Sequence, residues 1–166
     1  MHYSHLGLDP RKISFKNKTY FEHFHDLCHY QFRYAKKQYP KIKESQLWGL
    51  TASTQPNGYS AHEPGTADNG TIAPTAALAS WPYVPLLARQ AFSAMTNYPH
   101  LQLWGEYGFY DAFHHQKKWL SHGHISIDVG PIAPMIENHQ TGLCWEVFSK
   151  APEAQAIFAL IKKYSP

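Results

Sequence analysis

The stretch TYFEHFHDLCHYQFRYAKKQY, residues 19–39, restricts the fold more than any other part of the chain. Phe21, Phe24, Cys28, Phe32 and Ala35 return at steps of three and four, which places them on one face of a helix. Thr19 occupies an N-cap position with Glu22 three residues on, the spacing of a capping box, and Pro40 stops the run. An apolar helix face of this kind must be buried against other elements.

The remaining periodic segments supply those elements. A second helical stretch is predicted from near Pro74 to about Asn97, interrupted at Pro82 and Pro85. DAFHHQKKWL reads as a third helix, PIAPMIENHQT as a fourth and APEAQAIFALIKKY as a fifth. HISIDV is the best strand signal, with Ile125 and Ile127 alternating. Between Trp48 and Pro74 periodicity fades and glycine and proline accumulate, which predicts a long loop, and long loops in compact domains are usually functional or disordered. The expected class is mainly α with long ordered loops, in one domain of 166 residues, long enough for a real core. No repeat of fixed period is visible.

Charge and composition narrow the partners. Only 16% of residues are charged and the formal net charge is +3, too weak and too scattered for a nucleic-acid or acidic-membrane surface. Aromatics reach 15%, and with many Gly, Asn and His residues this suits a sugar-facing surface. No run of about 18 apolar residues is present, so no transmembrane helix is expected. MHYSHLGLDPRK lacks the apolar core of a signal peptide. Cys28 and Cys144 are the only cysteines, and spacing does not say whether they pair.

WGLTAS, DNGTIAPT, LWGEYGFYDAF and SIDVGPI share glycines, aromatics and acids, and each is expected at or just before a helix start. Helices packed as hairpins would gather these loops on one rim. Glycoside hydrolysis needs two carboxyls, and Asp68, Glu106, Asp111 and Asp128 lie in the loops. Asp68 and Asp111 can equally be helix caps. Asp128, between Ile127 and Val129 and followed by Gly130 and Pro131, reads as a site residue. Trp48, Tyr59 and Trp104 can be sugar platforms or core, Tyr107 and Tyr110 lie beside them, and Phe109 and Trp119 read as core. His25 and His29 stand at helical spacing and SHGH could add a second pair. Neither has a further ligand at a fixed offset, so surface or hydrogen-bonded histidines are expected rather than a metal site. Cys28 falls on the apolar helix face and does not read as a nucleophile.

WGLTAS, GYSAHEPGTADNGTIAPTAALAS, LWGEYGFYDAF and IDVGPIAPMIENHQTGLCWEVF occur in a single order. Together they resemble the glycoamylase-like domain of glycoside hydrolase family 144, the bacterial endo-β-1,2-glucanases, over nearly the whole chain. The resemblance implies an (α/α)6 toroid with the sugar cleft on one face, of which this chain would be the C-terminal half. It also implies an inverting mechanism on β-1,2-glucan, with no cofactor and no metal. The general-acid glutamate would lie upstream of Met1. Asp128 matches the aspartate of the family's IDQGP motif, the partner that handles the nucleophilic water. Trp48, Tyr59, Asp68, Asn69, Trp104, Tyr107, Asp111 and Glu137 are the expected substrate contacts. Val129 stands where the family has Gln, and Asn69 where it has a second Asp. Half a ring would leave helix faces bare and prone to self-association. A periplasmic or extracellular location is expected from the resemblance, although this chain carries no signal peptide.

Overall fold

The computed structural model describes residues 2–39, 46–98 and 101–164, and within them the chain is mainly helical. Pro40, the expected helix stop, lies outside the described residues. The first long helix, α1 (Tyr20–Gln38), begins as the sequence predicts. The Thr19 hydroxyl accepts the Glu22 N–H at 3.2 Å, while the Glu22 carboxylate accepts the Thr19 N–H at 2.7 Å. Cys28 and Ala35 are buried, and Phe21 and Phe24 set their edges on Tyr83 at 5.1 and 5.4 Å between ring centroids.

The stretch from Pro74 to Asn97 is two helices, α2 (Pro74–Leu78) and α3 (Pro85–Thr96). Both carry proline in the first turn, where the missing N–H costs nothing. Every residue of α2 is buried, which makes it the centre of the molecule. Ahead of it, Gly49 adopts a φ of +131° and its carbonyl accepts the Ala73 N–H at 3.1 Å.

Short antiparallel pairs fill the rest. They are β1 (Ser14–Phe15) with β2 (Lys18–Thr19), β3 (Ser53–Gln55) with β4 (Gly58–Ser60), and β6 (Trp104–Gly105) with β7 (Gly108–Phe109). β5 (Thr71–Ile72), β8 (Phe113–His114) and β9 (Trp119–Leu120) form a three-stranded sheet in the order β5-β8-β9. Two expectations are corrected here. DAFHHQKKWL is not a helix but the β8–β9 hairpin, because pairing Phe113 with Leu120 buries both, and Ile72 pairs with Phe113 from the other side. HISIDV is not a strand. Asp128 and Val129 both donate their N–H to the Ile125 carbonyl, winding a single turn, α4 (Ser126–Val129). The apparent alternation there misleads, since Ile127 is exposed and Asp128 is the buried residue. The predicted loop from Trp48 to Pro74 contains β3, β4 and β5.

The chain ends in α5 (Ile132–Gln140), α6 (Leu143–Ser149) and α7 (Pro152–Tyr164). The α6 segment was not separated in the sequence. Gly142, at φ +74°, makes the break before it. These helices hold the opposite end of the chain. Asn138 donates its side-chain amide to the Leu6 carbonyl at 2.9 Å, and the Trp145 indole donates to the His5 carbonyl at 2.8 Å. Among the described residues, no helix is long and apolar enough to cross a membrane.

Gly49 sits under the start of α2, and a Cβ added there would meet the Ala73 carbonyl at 2.8 Å and the Ala77 nitrogen at 3.2 Å. Its positive φ is also strained for any residue with a side chain. Gly49→Ala is expected to destabilise the fold by roughly 2–4 kcal/mol, against about 1 kcal/mol for Thr19→Ala at the α1 cap. Urea unfolding of the two variants side by side checks the ranking.

Candidate active-site cleft

A cleft of about 230 Å3 lies between the N-terminal segment, α1, the loop from Trp48 to Ala52, the start of α2 and α4. Asp128 is the carboxyl that lines it, and Tyr3, Gln31, Trp48, His62 and Ile127 contribute to its walls. The single turn of α4 explains this placement. It exposes Ile127 and folds the next side chain inward, so Asp128 is only 8% exposed.

Three influences define the environment of Asp128. The Tyr59 hydroxyl donates to Asp128 Oδ2 at 3.2 Å. The carboxyl of Asp111 is the second, a neighbour that favours the protonated form of Asp128. The third influence is the loss of water. Burial raises the Asp128 pKa most, the charge of Asp111 adds to it, and the Tyr59 hydrogen bond partly opposes both, which leaves the group pushed up to about 6. Asp111 is more deeply buried than Asp128, and its Oδ2 accepts the Thr54 N–H at 2.7 Å.

The hairpin β3–β4 connects these groups to the DNGT loop. Asn69 donates its side-chain amide to Gln55 Oε1 and lies 3.3 Å from His62 Nε2, while its Oδ1 accepts the Thr71 N–H. An aspartate at this position could not donate to Gln55, so the carboxamide suits this surround. Asp68 is not among the residues that line the cleft. Its two oxygens accept the Tyr34 hydroxyl and the Gly70 N–H, both at 2.9 Å. This is the turn-capping role that the sequence left open beside the functional one.

The other expected contacts are distributed differently. Trp48 lines the cleft although it is 1% exposed, so it serves as both core and wall, edge-on to Phe32. Tyr59 is half exposed above Asp128. Asp111 is behind the cleft wall and not on its surface. Trp104 lines a separate, more open depression with Glu106, Tyr110 and His122, because the β6–β7 hairpin turns it away and packs its edge on Phe109. Tyr107 is exposed at the tip of that hairpin, against His124. Glu137 accepts the Thr141 hydroxyl at 2.6 Å near the end of α5, outside the cleft lining. The idea that all four loops precede helices also needs correction. LWGEYGFYDAF forms β6, β7 and the start of β8, and WGLTAS leads into β3.

Several cleft residues were not singled out in the sequence. Gln31 on α1 accepts the Leu50 N–H at 2.8 Å and donates to the Leu50 carbonyl at 3.0 Å, which anchors the loop carrying Trp48. Ser80 Oγ donates to the Ala76 carbonyl at 2.6 Å and receives the Cys28 thiol and the His2 ring, both at 3.2 Å. Burial pushes the Cys28 thiol up to about 12 and the His2 ring down to about 3, so both are neutral and structural. Helical spacing could have suggested Gln31, which follows Cys28 by three residues, but nothing local could indicate a partner at Leu50. Cys28 and Cys144 are both free thiols. His25 and His29 meet edge-to-face on α1 at 4.5 Å, and among the described residues no group of three His, Cys, Asp or Glu side chains is arranged to hold a metal.

The family model for glycoamylase, described as "Putative glucoamylase", matches residues 1–152. The chain belongs to the glycoamylase family, and the glycoside hydrolase family 144 resemblance is borne out. An exo β-1,2-glucooligosaccharide sophorohydrolase (non-reducing end) of Parabacteroides distasonis is 41% identical over 159 residues, which are 93% of this chain and 22% of that protein. A crystal structure of a β-1,2-glucanase from the same species superposes with a TM-score of 0.89 at 39% identity, over 98% of this chain and 24% of the other. The endo-β-1,2-glucanase of Chitinophaga pinensis, in complex with sophorotriose and glucose, gives 0.87 at 40% identity, over 96% and 39%. The chain therefore spans about a fifth of the curated relative and under two-fifths of these solved proteins.

The raised Asp128 pKa has a sign that stability can report. From about pH 4 to about pH 6 the unfolded chain releases this proton while the folded chain keeps it. The contribution of Asp128 to stability is therefore full below pH 4 and lost as the pH rises through 6. Asp128→Asn removes the buried charge and offers Asp111 a donor. This variant is expected to be more stable than the parent above about pH 7, with the advantage shrinking by pH 4.5. Urea midpoints at the two pH values measure the effect, and an equal offset at both would contradict it.

Proposed function

We propose that this chain forms one wall of a glycoside hydrolase cleft for β-1,2-linked glucan and that Asp128 is the base of an inverting reaction. The observation that carries this reading is the setting of Asp128: it is the buried carboxyl lining the cleft, held by the Tyr59 hydroxyl. A proton affinity near neutrality suits a general base. The relatives named above act on β-1,2-glucans by their descriptions, which supports the substrate class.

In this reading a water beside Asp128 gives its proton to the carboxylate as its oxygen attacks the anomeric carbon. The glycosidic C–O bond breaks on the opposite face, and a second carboxyl protonates the leaving oxygen. That acid must stand roughly 6.5–9.5 Å from the base. Asp111 cannot serve, since it is buried beside Asp128 and not across the cleft. We assign the acid to polypeptide beyond these 166 residues, in a ring-shaped (α/α)6 domain of which this chain is one part. Exposed apolar side chains such as Leu27, Leu86, Val147 and Leu160 are consistent with helix faces that pack on further polypeptide or on a second copy. His62, Gln31 and the half-exposed Tyr3 and Tyr59 are suited to sugar hydroxyls and ring faces.

The test is reducing-end release from linear β-1,2-glucan. The 166-residue chain alone is expected to bind the glucan and release little. Joined to or mixed with the remainder of the domain it should turn over, and Asp128→Asn should then lower turnover by about 10²–10⁴-fold. Near-normal turnover by that variant would remove Asp128 from the role of base. Rapid hydrolysis by the isolated chain would place the acid within it, and binding without turnover by the reconstituted domain would make the cleft a binding site only.

A further inference from the structure

The buried carboxyl of Asp111 has no place in the reaction just described, yet among the described residues it is the most protected acid, at 1% exposure. One of its oxygens is satisfied by the Thr54 N–H at 2.7 Å. The other, Oδ1, is buried and receives no donor from any described residue. A buried oxygen left bare is costly, and its cost is removed if a neighbour supplies a proton. The neighbour is the Asp128 carboxyl, brought beside it by the facing residues Thr54 and Tyr59, which bond one acid each.

We infer that Asp111 is the positioning residue of the site: it shares one proton with Asp128 and holds the Asp128 carboxyl in place from behind. This rests on the reading of Asp128 as the base. The hairpin supports the pair from both sides. Thr54 and Tyr59 face each other across β3 and β4, and Thr54 gives its N–H to Asp111 while Tyr59 gives its hydroxyl to Asp128. One cross-strand pair therefore fixes both acids, and two carboxylates this close and this dry do not ionise together: the second gives up its proton only as the pH nears neutrality. The ionisable groups around Asp128 are Asp111 from the loop before β8 and Tyr59 from β4, with His2, Tyr3, Cys28 and His62 lining the same cleft. His2 and Cys28 are neutral, as derived above. Burial holds the His62 pKa below its usual value, so it contributes no charge at neutral pH.

The measurement is carboxyl-carbon NMR titration of the whole chain with labelled aspartate, which needs no turnover and so fails or succeeds separately from the hydrolase assay. In the parent, Asp111 and Asp128 are expected to show the same two inflections, because the steps belong to the pair. Independent single-step curves would overturn the proposal. Asp111→Asn keeps an acceptor for Thr54 and turns a donor toward Asp128, so it should weaken the proton affinity of Asp128 at least tenfold. Tyr59→Phe should shift it the other way by removing a donor to the carboxylate. Asp111→Glu should restore part of the two-step behaviour. An Asp128 midpoint within half a pH unit of the parent in folded Asp111→Asn would reduce Asp111 to a structural residue. Should that variant not fold, the parent curves still decide between a shared proton and two separate ones.

Discussion

A buried carboxylate must be compensated, and the compensation of Asp111 organises the centre of this molecule. Its one N–H partner comes from Thr54, so β3 must lie against the loop before β8. Once β3 is there, its partner β4 carries Tyr59 to Asp128. The rest of the hairpin then bridges to the DNGT loop through Gln55 and Asn69. Polar chemistry, more than apolar packing, sets the position of this hairpin, because Tyr59 is half exposed and Gly58 touches nothing with its missing side chain. The apolar core below it, from Ile72 and Leu78 through Phe113 and Met135, supplies the platform against which these bonds are made.

The parts of the fold that were legible in the sequence are those whose cause is local. The capping box of Thr19 and Glu22, the face of Phe21, Phe24, Cys28 and Ala35, and the prolines opening α2 and α3 all act within a few residues. DAFHHQKKWL misled because its helical spacing is real but weaker than the pairing of Phe113 with Ile72 and Leu120, partners no local window contains. HISIDV misled for the opposite reason. Its alternation suggested a half-buried strand, but a single turn after Ile125 buries the acid and exposes the isoleucine beside it.

The candidate site follows the same division. Asp128 could be picked out from its apolar neighbours and the Gly-Pro that follows, and Tyr59 from its glycine-rich loop. Nothing in LWGEYGFYDAF separates Trp104 and Tyr107, which the hairpin carries to another surface, from Asp111, which the next strand buries. Helical spacing sets Gln31 on the face of Cys28, but its role is a pair of bonds to the backbone of Leu50, and backbone partners leave no trace in residue identity. The short motif around Asp68 fits a cap and a rim equally, and the Tyr34 and Gly70 bonds favour the cap.

The ties between the two ends of the chain bear on the order of assembly. His2 and Tyr3 form part of the cleft lining, and their segment is held by Asn138 and Trp145, contacts that span 132 and 140 residues. Closures of such length come late in folding, since the entropy of joining distant segments is recovered only after the intervening chain has condensed. On a growing polypeptide the segment of His2 and Tyr3 emerges well before Asn138 and Trp145, and it is not fixed until α6 has left the ribosome. The N-terminal edge of the cleft is thus closed by groups made long after the residues they hold.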